Sequence, residues 1–216
     1  MNDLLIPYYE HPSARPAEWD AIIEAAPRVH GVVLNPASGP GETPDAAFAE
    51  VADRLRRADV RVLGYVDTDY GRRPQADVVQ DLVRHRDWYD ADGVFLDQVA
   101  SGRAEFPYYR RLAAAARGAG HGTVVLNHGT PPDPSYARIA DVLVTFEGTW
   151  ESYTAARPQE WRGGTGVRLC HLVHGVPAGV DLAGTARERG ARVYCGVPGT
   201  GDHPWGTLPH ALEPTL

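Results

Sequence analysis

The sequence predicts an α/β protein of the (β/α)8, or TIM barrel, class, and three observations predict it. Eight short apolar runs alternate with helix-like stretches from one end of the chain to the other. Those runs are too apolar to leave one face in water, as expected of a parallel sheet wrapped by helices. At the carboxyl end of nearly every run a polar or aromatic residue breaks the pattern. In a parallel barrel all those ends open on one face, where substrates bind. Eight runs favour a closed barrel over an open doubly wound sheet. The open sheet is also unsupported by any glycine-rich phosphate loop, because Tyr8-Tyr9-Glu10-His11 follows the first run. With 216 residues the chain fits one domain over 1–216, with short loops.

Each element has a local reason. Leu4–Tyr9 reads as a strand bounded by His11-Pro12, and Pro16 opens a helix through Ala26, proline being at home in a first helical turn. Val32–Asn35 is the second strand, stopped by Pro36 and the loop Ala37-Ser38-Gly39-Pro40-Gly41. Asp45 to Ala58 is an amphipathic helix, with Phe48, Val51 and Leu55 spaced by three and four. Val60–Val66 is the third strand and Gln75–Tyr89 the third helix. Asp92-Gly93-Val94-Phe95-Leu96-Asp97-Gln98 carries the fourth strand, followed by an alanine-rich helix from Glu105 to Arg117 closed by Gly118 and Gly120. Thr123–Asn127, Val142–Glu147, Val167–Val173 and Val193–Val197 are strands five to eight. A short proline-broken helix around Ser135–Ala140, a helical stretch from Trp150 to Trp161 and a helix over Asp181–Gly190 lie between them. The tail from Gly199 onward is rich in glycine and proline and has no clear periodicity.

The polar positions at the strand ends are Tyr8, Tyr9 and Glu10; Asn35; Tyr65, Asp67 and Asp69; Asp97 and Gln98; Asn127 and His128; Glu147; and His174. Side chains alternate along a strand, so Gly93, Phe95 and Asp97 share one face, and by the same count Leu143, Thr145 and Glu147 share one. His171 and His174, three apart, face opposite ways, and His174 is nearer the strand end. Each position also has a structural reading: Asn35 or Asn127 as a loop cap, Tyr65 as core, Asp97 as a helix N-cap, Glu147 as a loop ion pair.

Composition narrows the function. The net charge of −7 offers no basic stripe for a nucleic-acid backbone. No apolar run reaches the length of a membrane span. The N-terminus shows no signal peptide, so the expected location is cytoplasmic, or secreted if a leader has been removed. Cys170 and Cys195 lie in apolar strands and read as buried free thiols. A His-Glu-x-x-His pair, a His-x-His pair and an aspartate triad are absent, so no metal or other cofactor is expected. Gly-x-Ser-x-Gly is absent too. The chain is expected to be a monomer.

Two carboxylates, Asp97 and Glu147, among aromatics, amides and a histidine suit a sugar. Glycoside hydrolysis needs one acid protonated and one ionised across the scissile bond. The expected catalytic pair is therefore Asp97 and Glu147. Substrate binding is expected from Tyr8, Tyr9, Asn35, Tyr65, Asp67, Gln98, Asn127 and His174. Strands four and six are two apart, at about 4.8 Å per neighbour, so the carboxyl spacing and the stereochemical outcome stay open.

Several ordered motifs carry a family resemblance: Leu5-Ile6-Pro7-Tyr8-Tyr9, Asn35-Pro36-Ala37-Ser38-Gly39-Pro40-Gly41, Gly64-Tyr65-Val66-Asp67-Thr68, Trp88-Tyr89 with Gly93-Val94-Phe95-Leu96-Asp97, Val125-Leu126-Asn127-His128-Gly129-Thr130 and Val144-Thr145-Phe146-Glu147. From Leu5 to about His174 the chain resembles the spherulation-specific family 4, or spherulin-4-like, proteins. That resemblance implies a (β/α)8 barrel and an activity like that of glycoside hydrolase family 135, cutting an α-1,4-linked galactosamine polysaccharide. It also implies the acid roles for Asp97 and Glu147, in an order that could be reversed. The chain departs from the family pattern at Gln98, where an acid is usual, and at His128, where proline is common. Two rivals are a non-catalytic carbohydrate-binding protein and an intracellular enzyme acting on a small glycoside.

Overall fold

A computed structural model describes residues 3–157, 161 and 166–212. Its strands are β1 (Leu4–Pro7), β2 (Val29–Leu34), β3 (Val62–Asp67), β4 (Gly93–Asp97), β5 (Thr123–Asn127), β6 (Val142–Thr149), β7 (Arg168–His174) and β8 (Val193–Val197). They pair in parallel in chain order, and β8 returns to β1, so the sheet closes as a barrel. The α-helices among the described residues are α1 (Pro16–Glu24), α2 (Ala46–Arg57), α3 (Gln75–Tyr89), α4 (Phe106–Gly118), α5 (Trp150–Ala155) and α6 (Leu182–Glu188). The expected barrel is the observed one. The helix expected from Trp150 to Trp161 stops at Ala155, and its remainder falls partly outside the described residues.

Local chemistry accounts for the wrapping. Asp45 caps α2 by accepting hydrogen bonds from the amides of Ala47 (2.8 Å) and Phe48 (3.2 Å). That helix buries Phe48, Val51, Ala52 and Leu55 against the barrel. Loss of such a cap costs about 1 kcal/mol. Along the strands the side chains alternate between two cores. Leu5, Val33, Leu63, Phe95, Val125, Val142, Cys170 and Cys195 fill the barrel interior. Ile6, Val32, Val62, Val94, Leu126 and Leu143 face the helices. Both cysteines are free and buried. Gly64 lies under α3, where an added Cβ would meet the His85 ring at 2.3 Å. The His85 Nε2 atom is 2.7 Å from the Tyr65 carbonyl, which holds the ring there.

Two departures from simple alternation position the site. The register of β6 against β7 shifts between Val144 and Phe146, so Thr145 is an extra, bulged residue. Val142 and Val144 point inward before the bulge. After it Phe146 points outward onto Tyr153 and His171, while Glu147 pairs with the inward-facing Leu172. The expected face of Leu143, Thr145 and Glu147 is therefore corrected: Leu143 packs outside, and only the bulge turns Glu147 inward. The second departure follows β8. In place of a helix, two 3-10 turns, Pro204–Gly206 and His210–Leu212, fold back over the barrel. Leu208 and Leu212 join the core under α1, and Trp205 joins the interior cluster at the mouth.

Candidate active site

Asp97 and Glu147 meet at the carboxyl end of the barrel, joined through one side chain. The Asn127 Nδ2 group donates to Asp97 Oδ1 at 2.7 Å and to Glu147 Oε2 at 2.5 Å. Those two oxygens are thus no farther apart than the two bonds laid end to end, about 5.2 Å. The amide's own orientation is fixed, because Asn127 Oδ1 accepts from the Gly129 amide at 3.1 Å. Tyr65 donates its hydroxyl to Asp97 Oδ2 at 2.7 Å. Trp205 donates its indole N–H to Glu147 Oε1 at 3.2 Å. Every carboxylate oxygen of the pair therefore accepts a hydrogen bond.

The two acids are not electrostatically alike. Burial raises the pKa of both above the ordinary carboxylate range. For Asp97, hydrogen bonds from Tyr65, the Gln98 amide and Asn127 oppose that rise, while the charge of Asp67 adds to it. For Glu147 the Asn127 and Trp205 hydrogen bonds oppose the rise, while the negative Asp97 beside it adds to it. Asp97 thus has more donors stabilising its charged form than Glu147 has, and Glu147 carries the added repulsion of the acid beside it. Tyr9 and Tyr65 stay protonated phenols, pushed up by burial first and then by the negative charge around them.

The remaining expected residues divide. Tyr9 stands edge-on to Tyr65 with ring centroids 5.7 Å apart, and so belongs to the mouth. Asp67 ends β3 in register with Asp97, and its Oδ1 accepts from the Asp69 amide at 2.8 Å. His174 ends β7 with its ring edge-on to Trp205 at 6.2 Å, and burial lowers its pKa. Asn35 is at the end of β2, but its side chain accepts from the Gly39 amide at 2.8 Å and shapes the following loop. Gln98 has φ +50°, the left-handed region, and its carbonyl accepts from Tyr70 N–H and Thr68 Oγ1. Its backbone thereby turns the chain out of β4 and offers its own amide to Asp97.

Tyr8 does not reach the mouth. It is 1% exposed and packs edge-on against Trp19 of α1, because alternation from the inward-facing Leu5 sends it to the helix layer. His128 likewise points outward onto Tyr136, ring centroids 4.7 Å apart, so that departure from the family pattern falls away from the carboxylates. Trp205 was not among the expected residues. A lone large aromatic between Pro204 and Gly206 is a faint signal for a ring held in place by turns. A separate cavity of about 260 Å³ opens outside β6 and β7, lined by Thr145, Phe146, Tyr153, Trp161, His171 and Arg189 among others, and among the described residues no carboxylate lines it.

Comparison with known proteins agrees with this architecture. Spherulin-4 of Physarum polycephalum is 34% identical over 149 residues, which is 67% of this chain and 44% of that protein. The aligned segment thus spans less than half of that relative's length. The crystal structure of Sph3 from Aspergillus clavatus in complex with GalNAc superposes with a TM-score of 0.82 at 27% identity, covering 98% of this chain and 94% of that one. The N-terminal domain of a proposed aldolase from Bacteroides vulgatus superposes with a TM-score of 0.62 at 16% identity, covering 97% of this chain and 77% of that one, and speaks to the fold alone. Residues 3–197 match the family described as Spherulation-specific family 4, and the chain belongs to that family.

Proposed function

We propose that this protein is a glycoside hydrolase acting on an α-1,4-linked galactosamine or N-acetylgalactosamine polysaccharide, cutting within the chain. The observation that carries the reading is the single Asn127 amide bridging Asp97 and Glu147. It holds one oxygen of each acid within about 5.2 Å of the other, which supports the close carboxyl spacing of retaining enzymes over the wider spacing that leaves room for an attacking water. The likeness to Sph3, solved in complex with GalNAc, supports the sugar class. The aromatic rings of Tyr9 and Tyr65 beside the acids give a hexose ring an apolar face to lie on.

In this reading Asp97 is the nucleophile and Glu147 the acid and base. Glu147 gives its proton to the glycosidic oxygen as the bond to C1 breaks, while an Asp97 oxygen bonds to C1. A water molecule then attacks C1, Glu147 takes its proton, and the ester to Asp97 opens. Tyr65 and Asn127 hold the Asp97 carboxylate and stabilise the charge it regains. The negative mouth, with Asp67 beside Asp97, favours a protonated amino sugar. Incubation with acetylated and deacetylated galactosamine polymers, with products read by mass, tests this. Wild type is expected to release oligomers, and Asp97→Asn and Glu147→Gln are each expected to lose activity by about a thousandfold or more. Full activity in either variant refutes the assignment. One observation favours the non-catalytic reading, the neutral Gln98 where the family usually has an acid. Oligomer binding without turnover by wild type selects it.

A further inference from the structure

We infer that Trp205, from the aperiodic C-terminal tail, is the positioning residue of the general acid, holding the Glu147 carboxyl in the one orientation from which its proton faces the substrate. The inference rests on the reading of Glu147 as acid and base. The geometry behind it is specific. Glu147 Oε2 is taken by Asn127 and Oε1 by the Trp205 indole N–H. An indole N–H only donates, and the Asn127 Nδ2 group only donates. Neither neighbour is able to accept the Glu147 proton, so a protonated Glu147 has to direct its O–H away from both. Two donors on two different oxygens also fix the plane of the carboxyl group.

Trp205 is itself held on every side. It is 8% exposed, and its ring packs edge-on against His174. Its carbonyl accepts from the Tyr9 amide at 3.1 Å, which ties the tail to the end of β1. Thr207 Oγ1 donates to the Pro204 carbonyl and accepts from the Gly199 amide, each at 3.0 Å, closing the turn that carries the indole. Gly199 admits this closure because an added Cβ would lie 2.2 Å from the Pro204 carbonyl oxygen. A Glu10–His203 contact at 3.0 Å pins the approach to the turn. The tail therefore builds one wall of the acid's pocket, in the place where an eighth helix would have packed outside the barrel.

The test is the pH profile and the titration of Glu147 in Trp205→Phe, which keeps an aromatic ring and removes the N–H. The other titratable groups facing Glu147 are Tyr9 from β1, Tyr65 from β3, Asp97 from β4 and Cys170 from β7, with His174 across the indole; the variant leaves all of them in place. A donor to the charged form is lost, so Glu147 should keep its proton to higher pH. The basic limb of kcat is expected to move up by about one pH unit and kcat to fall about tenfold or more, with KM little changed. Carbon NMR of glutamate-labelled protein reads the Glu147 titration directly and needs no substrate. If the phenylalanine variant does not fold, incorporation of benzothienylalanine at position 205 removes the N–H while keeping the size of the indole. An unchanged basic limb and an unchanged Glu147 titration overturn the inference, even where thermal stability drops. Wild type without hydrolytic activity overturns the proposed function instead, and the NMR titration still reports whether Trp205 governs Glu147.

Discussion

At the scale of single residues, Asn127 joins the two acids. Its Nδ2 hydrogens reach both acids, so among the described residues it is the side chain that bridges them and shares its charge stabilisation between them. Asn127→Ala leaves two buried acids facing each other with no donor between, and they then resist ionising together. The expected result is a fall in kcat of about a hundredfold or more, from loss of preorganised donors, with the fold retained in circular dichroism; activity within tenfold of wild type contradicts the bridging role. Asp97, Glu147, Asn127, Tyr9 and Tyr65 were legible in the sequence because each interrupts an apolar run at a strand end. Tyr8 was misplaced by the same rule, since a position near a strand end does not by itself say which face a side chain takes. Trp205 carried almost no signal, because its partner Glu147 lies 58 residues earlier and no periodicity connects a turn to a strand.

At the scale of elements, short continuous apolar runs located all eight strands, and counting side chains by two predicted the inward face of β4 correctly. In β6 that count gave Glu147 the right direction for the wrong reason. Counting by two placed Leu143 and Glu147 on one face, whereas the bulge at Thr145 puts Val144 and Glu147 together inside. Nothing in Val142-Leu143-Val144-Thr145-Phe146 marks an extra residue, because a bulge is set by pairing with β7 rather than by the composition of β6. The bulge does chemical work at this point. It lets one strand give Val144 to the barrel core and, three residues later, an acid to the mouth, with Phe146 packed outside between them. In β4 the left-handed turn at Gln98 ends the strand and brings its amide onto Asp97. Loss of the family's usual acid at this position changes a side chain, while the backbone contact to Asp97 is independent of it.

At the scale of the whole molecule, burial that makes the site also makes the fold sensitive to pH. His85, His128 and His171 are held neutral by burial, each with its pKa lowered from 6.5 to about 4. A histidine with a lowered folded pKa binds its proton more readily when unfolded, so stability present above pH 6.5 is lost as the pH falls toward 4. Between pH 6.5 and 5 this amounts to roughly 1.5 kcal/mol for each such histidine. Asp97 and Glu147, with raised values, act in the opposite direction: the stability they contribute in protonated form is lost as the pH rises through their folded values. The histidine contribution can be removed one group at a time, so the change in urea midpoint from pH 7 to pH 5 should be less destabilising in His85→Gln than in wild type, each taken relative to its own pH 7 value. A change of the same size in His85→Gln and wild type contradicts it. The barrel as a whole was readable from the count and apolarity of its strands, whereas the closure of its mouth by the tail was not, because 3-10 turns rich in proline and glycine have no repeat to read.

The central claim is that Asp97 bonds to the sugar while Glu147 serves as acid and base. An aryl α-galactosaminide with a good leaving group, added to Glu147→Gln, tests it most directly, because the first step then needs no acid and the second lacks its base. The account predicts a burst of aryl alcohol and a glycosyl adduct by mass, mapped to the peptide that carries Asp97. A burst with the adduct on another residue, or product of inverted configuration with no adduct from wild type, contradicts it.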